Sequence, residues 1–307
     1  MPHHGNPSPY NVVVIGAGTA GLVTAAGTAG LGGRVAVVER GRMGGDCLNT
    51  GCVPSKALIA SARLADRMRH AKNWGLVPST PVVDYEPIAA RMRSKRERLA
   101  GNDSQERFEG LGVDVYRGEA RFVSAREVRV GETTLRATNF VIATGSRPAI
   151  PEIPGLDSVR FYTNESIFDK LDVVPRRLAI LGGGPIGCEL GQAFARFGAR
   201  VTILQRAPQI LEKEDADVAG AVRRQFEAEG IEVLAGTDVE RVRAEGSSIV
   251  LELAGSVRKT VTADALLIAA GRAPNVEDLD LAAAGVAFTD RGVTVNAHLQ
   301  TSRPHIY

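Results

Sequence analysis

The 307-residue chain has the length of about two ordinary domains and the composition of a globular protein. Lysine and arginine number 37 against 35 aspartates and glutamates, so the formal net charge is only +2. This balance argues against a basic nucleic-acid surface, and 44% hydrophobic residues exclude a disordered or fibrous chain. Three cysteines are too few for a secreted disulfide scaffold, so we expect a reducing compartment, the cytoplasm.

Residues 12–33 carry no charge and are long enough to span a bilayer. They contain seven glycines and three threonines, which do not suit an uninterrupted membrane helix. No lysine or arginine precedes them, as a signal peptide would require. We therefore interpret them as part of a buried nucleotide-binding unit, and we expect neither a membrane span nor a targeting segment.

The first unit has the pattern of a βαβ fold. Residues 12–15 form an apolar, β-branched run that is typical of a buried parallel strand. Gly16, Gly18 and Gly21 follow with GxGxxG spacing, before a small-residue helix and a second strand that ends at Glu39. Such glycines permit a sharp turn, close approach to a pyrophosphate and tight helix packing, and the acid accepts hydrogen bonds from ribose hydroxyls. A purely structural glycine turn is the alternative.

The middle of the chain has a different pattern. Residues 54–70 and 85–109 predict two helices, and residues 113–142 predict short strands joined by turns such as Gly131-Glu132. Three prolines within residues 148–154 predict a crossing between two domains.

A second unit of the first kind starts about 166 residues later, with a strand over residues 178–181. Its motif glycines are Gly182, Gly184 and Gly187. The next strand ends in Gln205 and Arg206 instead of an acid. Because Gln205 does not repel a 2′-phosphate and Arg206 can pair with one, we expect NADPH; NADH stays open if Arg206 is only a solvated charge. The remaining predicted elements are a helix near residues 218–229 and strands over residues 233–261 and 265–270.

Cys47 and Cys52 lie five positions apart, a spacing that a straight helix would convert into a rise of ~7.5 Å. A disulfide tolerates a Cα separation of only ~7 Å, so the backbone between them has to bend, for which residues 49–51 are suited. Pro54 suits a first helical turn, which places Cys52 at a helix N-terminus where the dipole favours a thiolate. Zinc is disfavoured because no nearby cysteine or histidine completes four ligands, and we expect no metal site. A buried inert pair is the alternative, and Cys188 is interpreted as a small packed residue.

Five motifs along residues 10–307 occur in an order that resembles the flavoprotein pyridine nucleotide-disulfide oxidoreductases. They are the first GxGxxG, the two-cysteine segment Gly44–Lys56, Ala143–Gly145, the second GxGxxG and Ala270–Asn275. The resemblance implies an α/β fold with two Rossmann-like dinucleotide-binding domains. It implies an FAD-binding domain over residues 1–150, an NAD(P)H-binding domain over residues 151–273, and a return into the first domain over residues 274–307. The small thioredoxin reductases are disfavoured because the cysteine pair lies in the first domain here.

The same resemblance implies roles for individual residues. Cys52 is expected to be the thiolate that faces the flavin, and Cys47 the interchange thiol that meets the substrate. Lys56 is expected near the flavin, paired with Glu189, and a plain surface ion pair is the alternative. The implied cofactors are FAD and NADPH, or NADH in its place. The implied cofactor-binding residues are Gly16, Gly18, Gly21, Glu39, Gly45, Thr144, Gly145, Gly182, Gly184, Gly187, Gln205, Arg206, Gly271 and Arg272.

Three features depart from the family pattern. Asp46 stands where many relatives have threonine, and its carboxylate disfavours a neighbouring thiolate. Pro185 stands where several relatives have a tyrosine that covers the flavin. The sequence stops at Tyr307, before the family's flavin-contacting Gly-Asp pair, its dimerisation domain and its acid–base histidine. We therefore expect a truncated chain without the C-terminal interface domain, from a parent family that is homodimeric.

The sequence thus predicts an FAD-dependent NAD(P)H:disulfide oxidoreductase that passes hydride from NAD(P)H to FAD and then electrons to a Cys47–Cys52 disulfide. The mercuric reductase branch is the most similar, so the expected substrate is Hg(II) or a small-molecule disulfide, with neither nucleic acid nor membrane as a partner. One alternative is a dihydrolipoamide dehydrogenase-like enzyme. Another is a truncated FAD-binding protein or NAD(P)H oxidase without disulfide turnover.

Overall fold

The structure, a computed structural model, describes residues 9–307. The chain divides into two compact units. Unit 1 consists of the chain up to Asn49, Arg96–Arg147 and Ala273–Tyr307, and unit 2 consists of Thr50–Lys95 and Pro148–Arg272. Each unit therefore contains two or three stretches that are distant in sequence.

Within residues 9–307 there are 17 strands, nine α-helices and four short 3-10 helices. The strands are β1 Tyr10–Ile15, β2 Val35–Glu39, β3 Val113–Arg117, β4 Ala120–Ser124, β5 Glu127–Val130, β6 Thr133–Ile142, β7 Ser146–Pro148, β8 Arg177–Leu181, β9 Arg200–Gln205, β10 Glu232–Ala235, β11 Thr237–Glu245, β12 Ser248–Gly255, β13 Thr260–Ala263, β14 Ala265–Ile268, β15 Arg272–Pro274, β16 Phe288–Thr289 and β17 Gly292–Val293. The α-helices are α1 Thr19–Gly30, α2 Gly45–Asn49, α3 Cys52–Arg69, α4 Tyr85–Ala100, α5 Gln105–Gly110, α6 Ile167–Lys170, α7 Pro185–Arg196, α8 Ala216–Ala228 and α9 Leu281–Ala284. The 3-10 helices are Ala71–Trp74, Gly101–Asp103, Leu156–Ser158 and Glu277–Leu279.

Unit 1 is built on a parallel sheet in the order β3-β2-β1-β6. Val13 and Val14 of β1 are fully buried because helices and loops cover both faces, as expected for a continuous β-branched run. The first half of β6 turns back into the antiparallel pair β5 and β4. The last residues of the chain lie beside β6, where the Tyr307 N–H donates to the carbonyl of Phe140 at 2.9 Å. Because β1 and β2 are parallel neighbours, their carboxyl ends lie at the same edge of the sheet.

Unit 2 is built on a second parallel sheet, β10-β9-β8-β14, with the antiparallel meander β11-β12-β13 beside it. The helix α3 packs against α7. Leu58 and Ala62 of α3 belong to the same buried cluster as Ile180 of β8 and Phe194 of α7. This packing holds the helix that begins at Cys52 against the helix that follows the second glycine turn.

The predicted α/β class with two Rossmann-like sheets is confirmed. The predicted helical segment 85–109 is confirmed, but it is divided into α4, a short 3-10 helix and α5. The helix stops at Ala100, and Ser104 begins α5 by accepting a hydrogen bond from the Arg107 N–H at 3.2 Å. A serine that satisfies an otherwise free N–H starts a new helix where continuous composition suggested none.

The uncharged stretch 12–33 forms β1, the glycine turn and α1. In the part of the chain that the structure describes, no helix is both long enough and apolar enough to cross a membrane. The division at residues 150 and 273 concerns which part binds which cofactor, and it stays a prediction.

Candidate functional site

The first glycine turn of unit 1 leaves no room for side chains at two of its three glycines. Gly16 has a φ of +107°, and a Cβ there would lie 2.3 Å from the carbonyl oxygen of Ala143. A Cβ at Gly21 would lie 1.9 Å from the carbonyl oxygen of Gly16, so helix α1 packs on the turn itself. Gly18 precedes the first residue of α1, and its lack of a side chain leaves the backbone N–H groups at this helix N-terminus without a side-chain cap. An N-terminus of this kind binds a phosphate well.

The segment that carries Cys47 packs directly on this turn. The Gly44 N–H donates to the carbonyl of Ala17 at 2.9 Å. A Cβ at Gly45 would lie only 2.5 Å from the Cα of Gly18, so the two backbones are in contact. The short helix α2 starts at Gly45, and its half-buried Cys47 is thereby held at the edge of the first nucleotide turn.

Glu39 ends β2 beside the same turn. Its Oε2 accepts a hydrogen bond from the Ala17 N–H at 2.7 Å, and its Oε1 accepts one from the Gly41 N–H at 2.6 Å. A cavity of about 390 Å³ opens next to it, lined also by Gly16, Thr144 and Asn275. Because each carboxylate oxygen has a second lone pair, Glu39 can still accept hydrogen bonds from hydroxyl groups in this cavity.

Thr144 and Asn275 are 131 residues apart in sequence and hydrogen-bond to each other at the wall of this cavity. The Thr144 Oγ1 donates to the carbonyl of Asn275 at 2.7 Å, and the Asn275 Nδ2 donates to the carbonyl of Thr144 at 2.9 Å. The Asn275 N–H also donates to the carbonyl of Gly145, whose φ is +66°. The Arg147 guanidinium pairs with Glu277 at 2.8 Å, and its hydrogen bonds lower the pKa of that carboxyl to about 2.

Unit 2 repeats the first arrangement with one chemical change. Gly182 has a φ of +112°, and a Cβ there would lie 2.2 Å from the carbonyl oxygen of Ala269, whereas a Cβ at Gly184 would meet nothing within 4 Å. A Cβ at Gly187 would lie 2.0 Å from the carbonyl oxygen of Gly182. The side chain that accepts the backbone N–H is here an amide, because the Gln205 Oε1 accepts from the Gly183 N–H at 2.7 Å.

Arg206 and the last two predicted positions also lie in unit 2. Arg206 is exposed, and it forms no ion pair with a carboxylate of residues 9–307. Gly271 has a φ of +139° and accepts a hydrogen bond from the Ala149 N–H at 3.0 Å, and Arg272 follows it in β15. The exposed guanidinium of Arg206 is therefore available to an anion beside the second glycine turn.

Cys52 is exposed and is the first residue of α3, as the proline pattern predicted. One turn further, the Lys56 Nζ lies 2.9 Å and 3.1 Å from the two carboxylate oxygens of Glu189 on α7. Lys56 is 61% exposed, so in water this pair alone contributes little to stability. The pair does fix the charge of Lys56 one helical turn from Cys52.

Cys188 has a different environment from the other two cysteines. It is 6% exposed, and its Sγ lies 3.4 Å from the carbonyl oxygen of Gly183. Burial raises the pKa of its thiol to about 12, so it stays protonated at neutral pH. This is the environment of a packed residue.

The structure thus brings the predicted residues together in two groups. Unit 1 holds the first turn, Glu39, Gly45, Cys47 and Thr144, and unit 2 holds Cys52, Lys56, Glu189, Gln205 and Arg206. Sequence reasoning quoted Asn275 within a motif without giving it a role, and it missed Arg147 and Glu277. Their signal lies in contacts between distant segments, which local patterns do not show.

Comparison with known proteins adds a family and named relatives. The family profile described as "Pyridine nucleotide-disulphide oxidoreductase" matches residues 10–307. Mercuric reductase of Staphylococcus aureus is 35% identical over 305 residues, which cover 97% of this chain and 55% of that protein. Dihydrolipoyl dehydrogenase of Geobacillus stearothermophilus is 35% identical over 302 residues, with 96% and 63% covered.

Among solved structures, the Cu(II) complex of the HOCl-induced flavoprotein disulfide reductase RclA from Escherichia coli matches with a TM-score of 0.84 and 30% identity. The match covers 98% of this chain and 65% of that one. The chain therefore spans between about half and two thirds of the length of these relatives.

Proposed function

The chain belongs to the pyridine nucleotide-disulphide oxidoreductase family. We therefore propose that it functions as an FAD-dependent NAD(P)H:disulfide oxidoreductase, with Cys47 and Cys52 as its redox-active pair. The observation that carries this proposal is the packing of the Cys47 segment on the first glycine turn through Gly44 and Gly45. A redox-active thiol has to lie close to the bound cofactor. This contact holds the Cys47 segment against the turn where we propose that the cofactor binds.

The residues of unit 1 fit a dinucleotide. Gly16 and Gly21 have no space for a Cβ, Gly18 leaves the N-terminus of α1 open to a pyrophosphate, and Glu39 offers acceptors for ribose hydroxyls. Thr144 and Asn275 shape the cavity wall. When bound there, FAD supplies reversible two-electron transfer between a nicotinamide and a thiol pair.

The residues of unit 2 favour NADPH as the reductant. Gln205 holds the second turn without a negative charge, and Arg206 offers an exposed cation beside it. A 2′-phosphate would meet no carboxylate from Gln205 and would gain a charge-assisted hydrogen bond from Arg206.

The two cysteines have different tasks in this proposal. The thiolate of Cys47 attacks a substrate disulfide, forming a mixed disulfide and releasing one substrate thiolate. The thiolate of Cys52 then attacks the Cys47 sulfur, which releases the second thiolate and leaves a Cys47–Cys52 disulfide for two-electron reduction. With Hg(II) as substrate, the two thiolates would ligate the metal ion, and the two electrons that reduce it to Hg(0) would come from NADPH through bound FAD, with NADP+ as the oxidised product. Lys56, held by Glu189, keeps a positive charge one helical turn from Cys52.

We place the substrate with the mercuric reductase branch. Three sequence features support this choice: the Cys-Val-Pro-Ser-Lys motif, the Leu-Gln-Arg end of the strand and Pro185. Several mercuric reductases that are 33–36% identical to this chain also support it. Dihydrolipoyl dehydrogenases of similar identity make lipoamide with NAD the second candidate.

The test measures NADPH oxidation under anaerobic conditions with Hg(II) and excess thiol, with lipoamide, and with no acceptor. We expect oxidation that depends on Hg(II) and falls to background in Cys47→Ser and in Cys52→Ser. Cys188→Ser is the matched control and should keep full activity, because that thiol is buried and protonated. Activity with lipoamide alone would transfer the chain to the dehydrogenase branch. Oxygen-dependent NADPH oxidation that survives both substitutions would contradict disulfide chemistry altogether.

A further inference from the structure

The helix α2, which carries Cys47, has five residues, and a helix this short is not stable alone. Its first end is held by the contacts of Gly44 and Gly45 with the first glycine turn. Leu48 anchors its middle, because this side chain is buried. The last end needs separate support, since the final carbonyls of a helix have no N–H partner within it.

Two side chains supply that support at Asn49, the last residue of α2. The Asn49 Nδ2 donates to the carbonyl of Met43 at 3.0 Å and to the carbonyl of Gly45 at 2.8 Å, so it closes the segment on itself. The Arg96 Nη1, from α4, donates to the Asn49 carbonyl at 3.1 Å. Asn49 and Arg96 both belong to unit 1, so the two ends of α2 are fixed within one unit.

The contact of Arg96 with the Asn49 carbonyl ends α2 at a defined point. In a continuous helix that carbonyl would accept the N–H of Val53, four residues later. A guanidinium takes this place, and the helix dipole also favours a cation at a C-terminal end. Because the next helix begins at Cys52, residues 50 and 51 form the bend that a disulfide between Cys47 and Cys52 requires.

Pro54 explains part of this bend. In a continuous helix its ring would clash with the carbonyl of Thr50, so no straight helix runs through that residue. The Asn49 carbonyl lies one residue earlier, and Arg96 binds it there. Pro54 therefore prevents a straight helix, and Arg96 fixes the direction in which the chain leaves α2.

We propose that Arg96 is a positioning residue of the redox-active pair: by binding the Asn49 carbonyl, it holds the turn between Cys47 and Cys52 in the bent form that lets the two sulfurs join. The inference rests on the proposed function, because it takes these two cysteines as the pair. A turn that is held in advance raises the effective concentration of one thiol at the other. Arg96 acts through the backbone of Asn49, so it is not a catalytic residue.

The experiment measures the equilibrium between the protein dithiol and its disulfide in glutathione buffers. One glutathione disulfide oxidises the pair: the Cys47–Cys52 bond forms, the bond between the two glutathione sulfurs breaks, and the two thiol protons pass to two glutathione molecules. All proteins carry Cys188→Ser, so that Cys47 and Cys52 are the two cysteines present. Alkylation of the remaining thiols and mass spectrometry of the intact protein give the oxidised fraction.

Arg96→Met keeps much of the side-chain volume and removes the hydrogen-bond donors. We expect it to lower the equilibrium constant for disulfide formation by about tenfold, which raises the reduction potential of the pair by about 30 mV. Arg96→Lys, whose ammonium group can also donate to the Asn49 carbonyl, should lower the constant by less than about threefold. Arg98→Met is the matched control and should leave the constant unchanged, because Arg98 is exposed and faces another side of α4.

A double-mutant cycle separates positioning from general stability. Asn49→Ala keeps the carbonyl that Arg96 binds, but it removes the amide that ties this residue to the start of the Cys47 segment. If Arg96 acts through that segment, Arg96→Met should lower the constant by less than about threefold in the Asn49→Ala background. A general loosening of unit 1 would give additive effects instead.

An unchanged equilibrium constant in Arg96→Met, or additive effects in the cycle, would overturn the role of Arg96. The proposed function would survive that result, since NADPH oxidation that depends on both cysteines tests it separately. A parent protein whose two cysteines do not join at any glutathione ratio would overturn both. If Arg96→Met does not fold, Arg96→Gln, with a shorter polar side chain, replaces it with the same expected decrease.

Discussion

Glu39 and Gln205 have equivalent positions in the two units and make the same contact. Each ends the second strand of its βαβ unit, and each accepts, at 2.7 Å, the N–H of the residue after the first motif glycine. The shared hydrogen bond stabilises the turn, so it explains why both side chains are acceptors. The same hydrogen bond forms with either side chain, so we expect the difference in charge to affect which ribose substituent, a 2′-hydroxyl or a 2′-phosphate, each turn accepts.

The variant Arg206→Ala tests whether the second glycine turn distinguishes NADPH from NADH. We expect the KM for NADPH to rise about tenfold while the KM for NADH and the kcat stay unchanged, because a charge-assisted hydrogen bond to a phosphate contributes about 1.5 kcal/mol at an exposed position. Steady-state kinetics with both coenzymes measure the effect, and Arg258→Ala is the control arginine. An equal rise in both KM values would show that Arg206 does not contact a 2′-phosphate.

At the scale of single elements, the sequence predicted what is local. Residues 12–15 and 178–181 are unbroken apolar runs that immediately precede the two glycine motifs, and both are buried parallel strands. Cys52 begins its helix because a proline two residues later fits only a first turn. The hydrogen bonds between Thr144 and Asn275 were not predictable, because the two residues are 131 positions apart and no local pattern connects them.

The break between α4 and α5 was missed for another reason. Residues 85–109 are continuously rich in arginine, alanine and glutamate, so composition favours one helix. Gly101, Asn102 and Asp103 lower that preference only moderately, and the hydroxyl of Ser104 decides the outcome by capping the next helix.

Ser104→Ala should therefore destabilise unit 1. We expect the free energy of unfolding to fall by about 1 kcal/mol, because α5 loses its N-cap and its Phe108 is 2% exposed in the core. Denaturant titration followed by circular dichroism measures the change. Ser94→Ala, at an exposed position inside α4, is the control and should be neutral or slightly stabilising. Equal stability of the two variants would mean that the cap is not needed.

At the scale of the whole molecule, one charged group connects three helices of unit 2. The Arg196 guanidinium on α7 lies 2.7 Å from Glu229, which follows α8, and 3.9 Å from Asp66 on α3. Gln192 and Gln225 also donate to Glu229 at 2.8 Å. Burial alone would raise the pKa of Glu229, but these hydrogen bonds outweigh it and lower the pKa. The charged form is therefore the one that the fold stabilises.

Removal of the Glu229 carboxylate should lower the stability of the whole of unit 2. Glu229→Ala leaves the Arg196 guanidinium, only 16% exposed, without its main partner, and we expect a loss of about 2 kcal/mol. Because the folded pKa lies below the unfolded one, the wild-type advantage should be complete at neutral pH and decline as the pH falls below about 4.5. Glu227→Ala, from an exposed ion pair with Arg223 on α8, is the control. A loss of stability that does not vary with pH would contradict the electrostatic origin.

The contact of Gly44 and Gly45 with the first turn has one more consequence. The stretch of polypeptide that bears the Cys47 sulfur packs on the turn where we propose that the FAD phosphates bind, so we expect coenzyme binding to change the accessibility of that sulfur. A substitution that weakens the binding of FAD, even a distant one, should then change the rate at which an alkylating reagent modifies Cys47. The rate of alkylation is then a gauge of occupancy that requires no turnover.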